Sequence, residues 1–155
     1  MKFFALPVFV FLCSSTGTGR AGTILMQNFF EDGSSVLPVV LNDGRLPPTG
    51  SGIAVVGSFM DESLVSETEV TLAGWRMLLT GFVPFGSSAA KLGDSNAYGI
   101  PGLYSVDVSQ QLTPDHALVG RSMFTLIGNE STLATSTAVV VMRIGGLRAG
   151  VGFRV

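Results

Sequence analysis

One cysteine and one histidine are all that this chain of 155 residues offers to thiol or imidazole chemistry. Cys13 lies inside an apolar N-terminal run and His116 stands alone, which excludes a two-histidine metal site. Without a second cysteine there is no intrachain disulfide, so packing alone must hold the fold. Charge is equally scarce, at 13% of residues, and Lys91 is the only lysine beyond Lys2. No basic patch exists to neutralise phosphates, which excludes nucleic acid as a partner. Long hydrophobic runs are missing too. The longest, from Phe3 to Cys13, falls short of the ~17–25 residues that a membrane-spanning helix needs, so no stable transmembrane helix is expected. No serine sits in a G-x-S-x-G elbow.

What is present at the N terminus reads as a leader. "GTGRAG" (17–22) satisfies the G-x-G-x-x-G pattern of a dinucleotide-binding turn, but such a turn needs a mature strand before it and an amphipathic helix behind it. Upstream stands "MKFFALPVFVFLCSST", a basic start followed by an apolar run and small residues, which reads as a secretory signal peptide. Gly19 and Ala21 supply small side chains at −3 and −1 for cleavage between Ala21 and Gly22. The expectation is therefore a signal peptide over 1–21 and a single β-rich domain over 22–155, with no nucleotide cofactor. Losing Lys2 and Arg20 takes the nine basic residues down to seven, against eleven acids. Bulky Phe11 and Leu12 before Cys13 argue against a lipid anchor there.

Beyond the leader, short β-branched and aromatic runs are punctuated by Gly, Asn, Asp and Pro. The runs are 53–59, 103–109, 122–128 and 137–144; the turns are 31–35, 42–52, 86–96 and 99–102. This pattern predicts a mainly β domain. One segment reads as helix. Ser66 and Glu69 form a capping box, Leu72, Trp75, Leu79 and Phe82 recur on one helical face, and Gly81 offers a stop. A helix over about 67–80 is expected, with Trp75 docking it on a sheet.

The candidates for chemistry are few. Asp115 and His116 are adjacent, and consecutive residues of an extended chain point apart, so the pair reads as a turn rather than a catalytic dyad. Glu67 and Glu69 suit a helix start, where carboxylates favour the dipole. In "DSNAYG", Asp94, Asn96 and Gly99 match positions one, three and six of a calcium loop, while Tyr98 and Ser105 stand where ligands five and twelve belong. Turn chemistry accounts for the same residues, and calcium at Asp94 and Asn96 is left open. Asn129-Glu130-Ser131 has the pattern of a glycosylation acceptor.

The order "GSF" (57–59), "LAGWRMLLTGFVPFG" (72–86), "GLYSV" (102–106) and "LVGRSMFTLIGNESTLATSTAVVVMR" (118–143) resembles a group of exported bacterial proteins of the PEP-CTERM-associated type. The most specific piece is "LIGNESTLATST" (126–137), similar to a "VGNG-x-TL-x-x-ST" stretch common among them. The resemblance implies export, a β-rich fold and a place at the cell surface or in extracellular polymer. It implies no catalytic residues. The sorting tail itself, a Pro-Glu-Pro motif with a hydrophobic span and a basic end, is absent from this sequence.

The expected architecture is an antiparallel β-sandwich-like domain with one packed helix. Its core is expected to hold Val55, Phe59, Leu72, Trp75, Leu79, Phe82, Phe124, Leu126, Val139 and Val141, with 137–144 an interior strand. The expected role is that of an exported, non-enzymatic domain, periplasmic, cell-surface or extracellular, that meets a polymer or a protein. Two alternatives stand beside it. One is a small outer-membrane barrel, suggested by the alternation in "LRAGVGFRV". The other is a secreted hydrolase using Asp115 and His116 or an acid pair.

Overall fold

"IAVVGSF" and "SMFTLIG" are apolar on both faces, and each forms a strand buried from end to end: β2 (Ile53–Phe59) and β5 (Ser122–Gly128). Such a strand is stable only between two covering layers. A computed structural model, which describes residues 20–28, 38–41, 44–67 and 71–146, supplies both layers. β2 and β5 pair antiparallel, with Ile53 opposite Gly128 and Gly57 opposite Phe124. β3 (Phe82–Lys91) flanks β2 and β6 (Val139–Gly146) flanks β5, giving the order β3-β2-β5-β6. A second sheet is a two-stranded antiparallel ribbon of β1 (Arg20–Gln27) and β4 (Ser105–Leu112). The described strands thus form two open antiparallel sheets and do not close into a barrel. The domain is mainly β and sandwich-like with a packed helix, as the sequence predicts.

The two faces of the central pair separate by the two-residue period of a strand. Ala54, Val56, Met123 and Ile127 face the ribbon, where Ile24 and Met26 of β1 and Val106 and Val108 of β4 meet them. Phe59, Phe124 and Leu126 face the other way, onto the helical layer. Phe59 lies 5.1 Å, ring centre to ring centre, from both Phe82 and Phe124, in tilted and edge-on arrangements. Aromatic pairs of this kind add about 0.5–1.5 kcal/mol beyond the area they bury.

Helix α1 (Ser63–Glu67) is one turn long, and α2 (Leu72–Thr80) carries the helical layer. The expected start at Ser66 is corrected. Thr71 caps α2, its hydroxyl accepting the Gly74 amide at 3.0 Å, while Ser66 belongs to α1 and donates to the Ser63 carbonyl. The apolar stripe shifts accordingly. Trp75, Leu78, Leu79 and Phe82 pack on the sheet, whereas Leu72, at the free end of the helix, is 43% exposed. The expectation that Leu72 is core is therefore overturned, and Leu78 replaces it. Glu69 lies outside the described residues.

Two strands were not expected. β3 runs through "GSSAAK", which reads as a turn. It holds as a strand because a bulge absorbs three extra residues between the Val55–Ala89 and Gly57–Pro84 pairs. Gly86 adopts φ +56 within that bulge, and Phe85 and Ser88 turn inward. β1 begins at Arg20, so Arg20–Gly22 of "GTGRAG" lie in an extended paired strand rather than a strand-to-helix turn; Gly17–Gly19 lie outside the described residues. β6 is an edge strand with Val140 49% exposed, which overturns the interior placement of 137–144; Val139 and Val141 are half-buried.

Candidate functional site

The length mismatch between helix and strand accompanies an open concavity among the described residues. Nine helical residues span roughly 13 Å at 1.5 Å per residue. A seven-residue strand spans roughly 23 Å at 3.3 Å per residue. α2 therefore covers the Phe59 end of β2 and stops short of the Ile53 end, where Ile53 and Val55 are nonetheless buried by other neighbours. There an open groove of about 570 Å³ runs over Ile53 and Val55. Leu79, Phe82, Leu133 and Ala134 wall it on the helical side, and Pro84 with the 86–89 bulge walls it on the other. No ionisable side chain lines it. The Ser88 hydroxyl is committed, donating to the Val56 carbonyl at 2.8 Å. Such a groove can bind apolar surface but has nothing with which to move a proton.

The wall at Leu133 is built by "GNESTLATST". Asn129 clasps this loop: its Oδ1 accepts the Thr137 amide at 3.0 Å and the Ala138 amide at 2.9 Å, and its Nδ2 donates to Thr137 Oγ1 at 3.2 Å. Ser136 is fully buried, accepts the Glu130 amide and donates to the Thr132 carbonyl. A Cβ at Gly128 would stand 2.2 Å from Ser136 Oγ, so only glycine fits. The Leu133 carbonyl accepts the Trp75 indole N–H at 3.1 Å, which ties the loop to the helix. The residues that carry the family resemblance thus shape a wall rather than a reactive centre. The Asn129 amide, the acceptor atom of the glycosylation pattern, is already engaged in the clasp.

The other sequence candidates do not converge on the groove. His116 is half-buried in the turn after β4. Its Nδ1 lies 3.2 Å from the Leu118 amide, and its Nε2 lies 2.9 Å from Gln110 Nε2. Gln110 Oε1 in turn accepts the Gly86 amide at 2.8 Å. A neutral ring has one acceptor nitrogen, so it receives either the Leu118 amide at Nδ1 or the Gln110 Nε2–H at Nε2, as the tautomer decides. The histidine sits where turn, ribbon and bulge meet. Asp115 is exposed, and no hydrogen bond or ion pair joins it to His116. Trp75 belongs to the helical layer, on the opposite side of the sheet from the ribbon that holds Gln110.

In "DSNAYG", the Asp94 carboxylate caps a 3₁₀ turn (Ser95–Ala97) by accepting the Ala97 amide at 3.1 Å. Tyr98 follows at φ +55 and is 65% exposed. Asn96 is exposed, and among the described residues no group of three metal-ligating side chains gathers there or elsewhere. The turn chemistry alone accounts for Asp94, Asn96 and Gly99.

A polar cluster unmarked in the sequence joins the residues just before α1 to the start of β5. Glu62 accepts the Ser122 amide at 2.7 Å and pairs with Arg143 at 3.5 Å, while Arg121 donates to the Met60 and Ala117 carbonyls. The Ser122 amide, then the Ser122 hydroxyl and the two arginines, hold the Glu62 carboxyl below its usual range. The groove residues 86–89 and 133–134 were equally illegible, because small neutral side chains carry no chemical signature. Comparison of the chain with protein-family models, with curated proteins and with solved structures returned no match.

Proposed function

We propose that this chain is an exported, non-enzymatic binding domain whose contact surface is the groove over Ile53 and Val55. The observation that carries the reading is the lining: an open trough of about 570 Å³ without a single ionisable side chain. Binding sites of small-molecule size run to roughly 300–1,000 Å³ and are mostly apolar, but catalytic ones add convergent acids, bases or nucleophiles. The occupant it fits is an uncharged apolar segment of another polypeptide. A carbohydrate would call for an array of hydrogen-bonding side chains, and here one of the two serines is already spent on the Val56 carbonyl. Export, with a place in the periplasm, at the cell surface or in the extracellular matrix, rests on the leader pattern and on the resemblance to PEP-CTERM-associated proteins.

The test is selection of random short peptides on the folded domain, followed by binding to an Ala89→Trp variant that fills the groove. Uncharged, apolar-rich binders that lose at least tenfold in affinity on Ala89→Trp, with an unchanged melting temperature, are the expected result. Binders that are acidic or basic, or indifferent to Ala89→Trp, would overturn the placement of the site. A hydrolase activity abolished by His116→Ala would overturn the non-enzymatic reading.

A further inference from the structure

We infer that the leader is removed upstream of Arg20, after Gly17 or Gly19, and not at the Ala21–Gly22 bond. The inference rests on the export reading proposed above, and it is carried by the position of Gly22 in the ribbon. Gly22 is the third residue of β1, opposite Gln110 of β4, and it is buried. A Cβ built on it would stand 3.0 Å from Leu112 Cδ1 and 3.4 Å from Phe85 Cζ. The α-carbon is therefore pressed against two apolar side chains.

Cleavage after Ala21 would make this residue the new N terminus. An α-amino group carries a positive charge below its usual pKa of about 8. The charge would then stand inside the ribbon, on the residue packed against Leu112 and Phe85, rather than beyond its end. The same cut would remove Arg20 and Ala21 from the ladder, leaving Leu112 and Gln111 of β4 without their partners. Cleavage upstream of Arg20 avoids both losses. The ammonium then lies at or beyond the first pair of the ribbon, and all eight residues of β1 are kept.

The sequence supplies suitable bonds there. Cleavage after Gly17 puts Ser15 at −3 and Gly17 at −1, and cleavage after Gly19 puts Gly17 and Gly19 in those places. Both satisfy the small-residue requirement of signal cleavage and directly follow the apolar run that ends at Cys13. "GTGRAG" then has a plain division of labour: its first glycines are the cleavage region, and its last is the buried glycine of the first strand.

The experiment expresses the full chain in a secreting bacterial host and determines the N terminus and intact mass of the processed protein. A first residue of Thr18 or Arg20 is expected. A first residue of Gly22 would overturn this inference while leaving export intact, and a cytoplasmic protein that keeps Met1 would overturn both. Two variants report without depending on the mature fold. Gly17→Trp places a bulky side chain at −1 of one inferred bond and at −3 of the other, but leaves Gly19 and Ala21 in place for the downstream bond. It is expected to abolish processing. Ala21→Trp blocks only the downstream bond and is expected to leave processing unchanged. The opposite pair of results would refute the inference.

Discussion

Replacing Asn129 with alanine removes the clasp of the 129–138 loop. Three hydrogen bonds disappear, two of them from backbone amides to the carboxamide oxygen at 3.0 and 2.9 Å. Each is worth a net ~0.5–1.5 kcal/mol, and the half-buried Ala138 amide is left without its side-chain acceptor. Asn129→Ala is therefore expected to cost about 2–3 kcal/mol, well above the ±0.5 kcal/mol typical of surface substitutions. For a domain near this size each kcal/mol lowers Tm by roughly 2–4 °C, so a fall of about 4–12 °C is expected by calorimetry. Asn129→Asp separates the contributions. It keeps the oxygen that receives both amides and loses only the donor to Thr137 Oγ1, so it is expected to recover most of the stability. The loop also holds the Leu133 carbonyl against the Trp75 indole, so tryptophan emission is expected to shift to the red in Asn129→Ala. A melting temperature within 1 °C of the parent, by the same ~2–4 °C per kcal/mol, would refute the clasp, as would an Asn129→Asp variant as unstable as the alanine one.

Tyr104→Phe is expected to be neutral or stabilising by ~1 kcal/mol in denaturant titration, because the Tyr104 hydroxyl is buried without a hydrogen-bond partner and its removal relieves a desolvation cost. Glu62 has its carboxyl held down in the fold, first by the Ser122 amide, so its contribution is full above the ordinary value of 4.5 and is lost as pH falls through the lower folded value. Acid titration of stability below pH 4.5 is expected to be shallower in Glu62→Gln than in the parent. Gly57→Ala is expected to destabilise by ~1–3 kcal/mol through overpacking, because a Cβ there would stand 2.3 Å from the Val83 carbonyl oxygen; an unchanged denaturation midpoint would show that the bulge yields.

Where a segment carried apolar residues on both faces, the sequence was readable: 53–59 and 122–128 match β2 and β5 at both ends, because a strand buried on both faces needs no outside information to identify it. The same rule failed at 137–144, where Val140 is apolar yet faces out on an edge strand; an apolar side chain permits burial without requiring it. β3 was hidden because its second half, Gly86–Lys91, has low strand propensity and owes its conformation to the neighbouring strand and a bulge, which is non-local information. The helix start moved from Ser66 to Thr71 because both residue types can cap and only the sheet beneath decides which one does. The groove followed the same logic. It accompanies a mismatch in length between α2 and β2, two elements that are individually recognisable and whose relative placement no local pattern encodes.

The pairing of β1 with β4 has a consequence for how the chain assembles in time. Thr23 and Ser109, joined by their hydroxyls across the ribbon, are 86 residues apart in sequence, and β2 must likewise wait for β5. As the chain emerges from the ribosome, β1 lacks its partner until residues 105–112 have been made, and β2, joined by β3 at one edge, lacks its other neighbour until residue 128. Proteins dominated by such distant pairings fold slowly, in milliseconds to seconds for small domains. Nascent chains that stop between β2 and β5 are therefore expected to be the species that holding chaperones retain and that aggregates when they are absent.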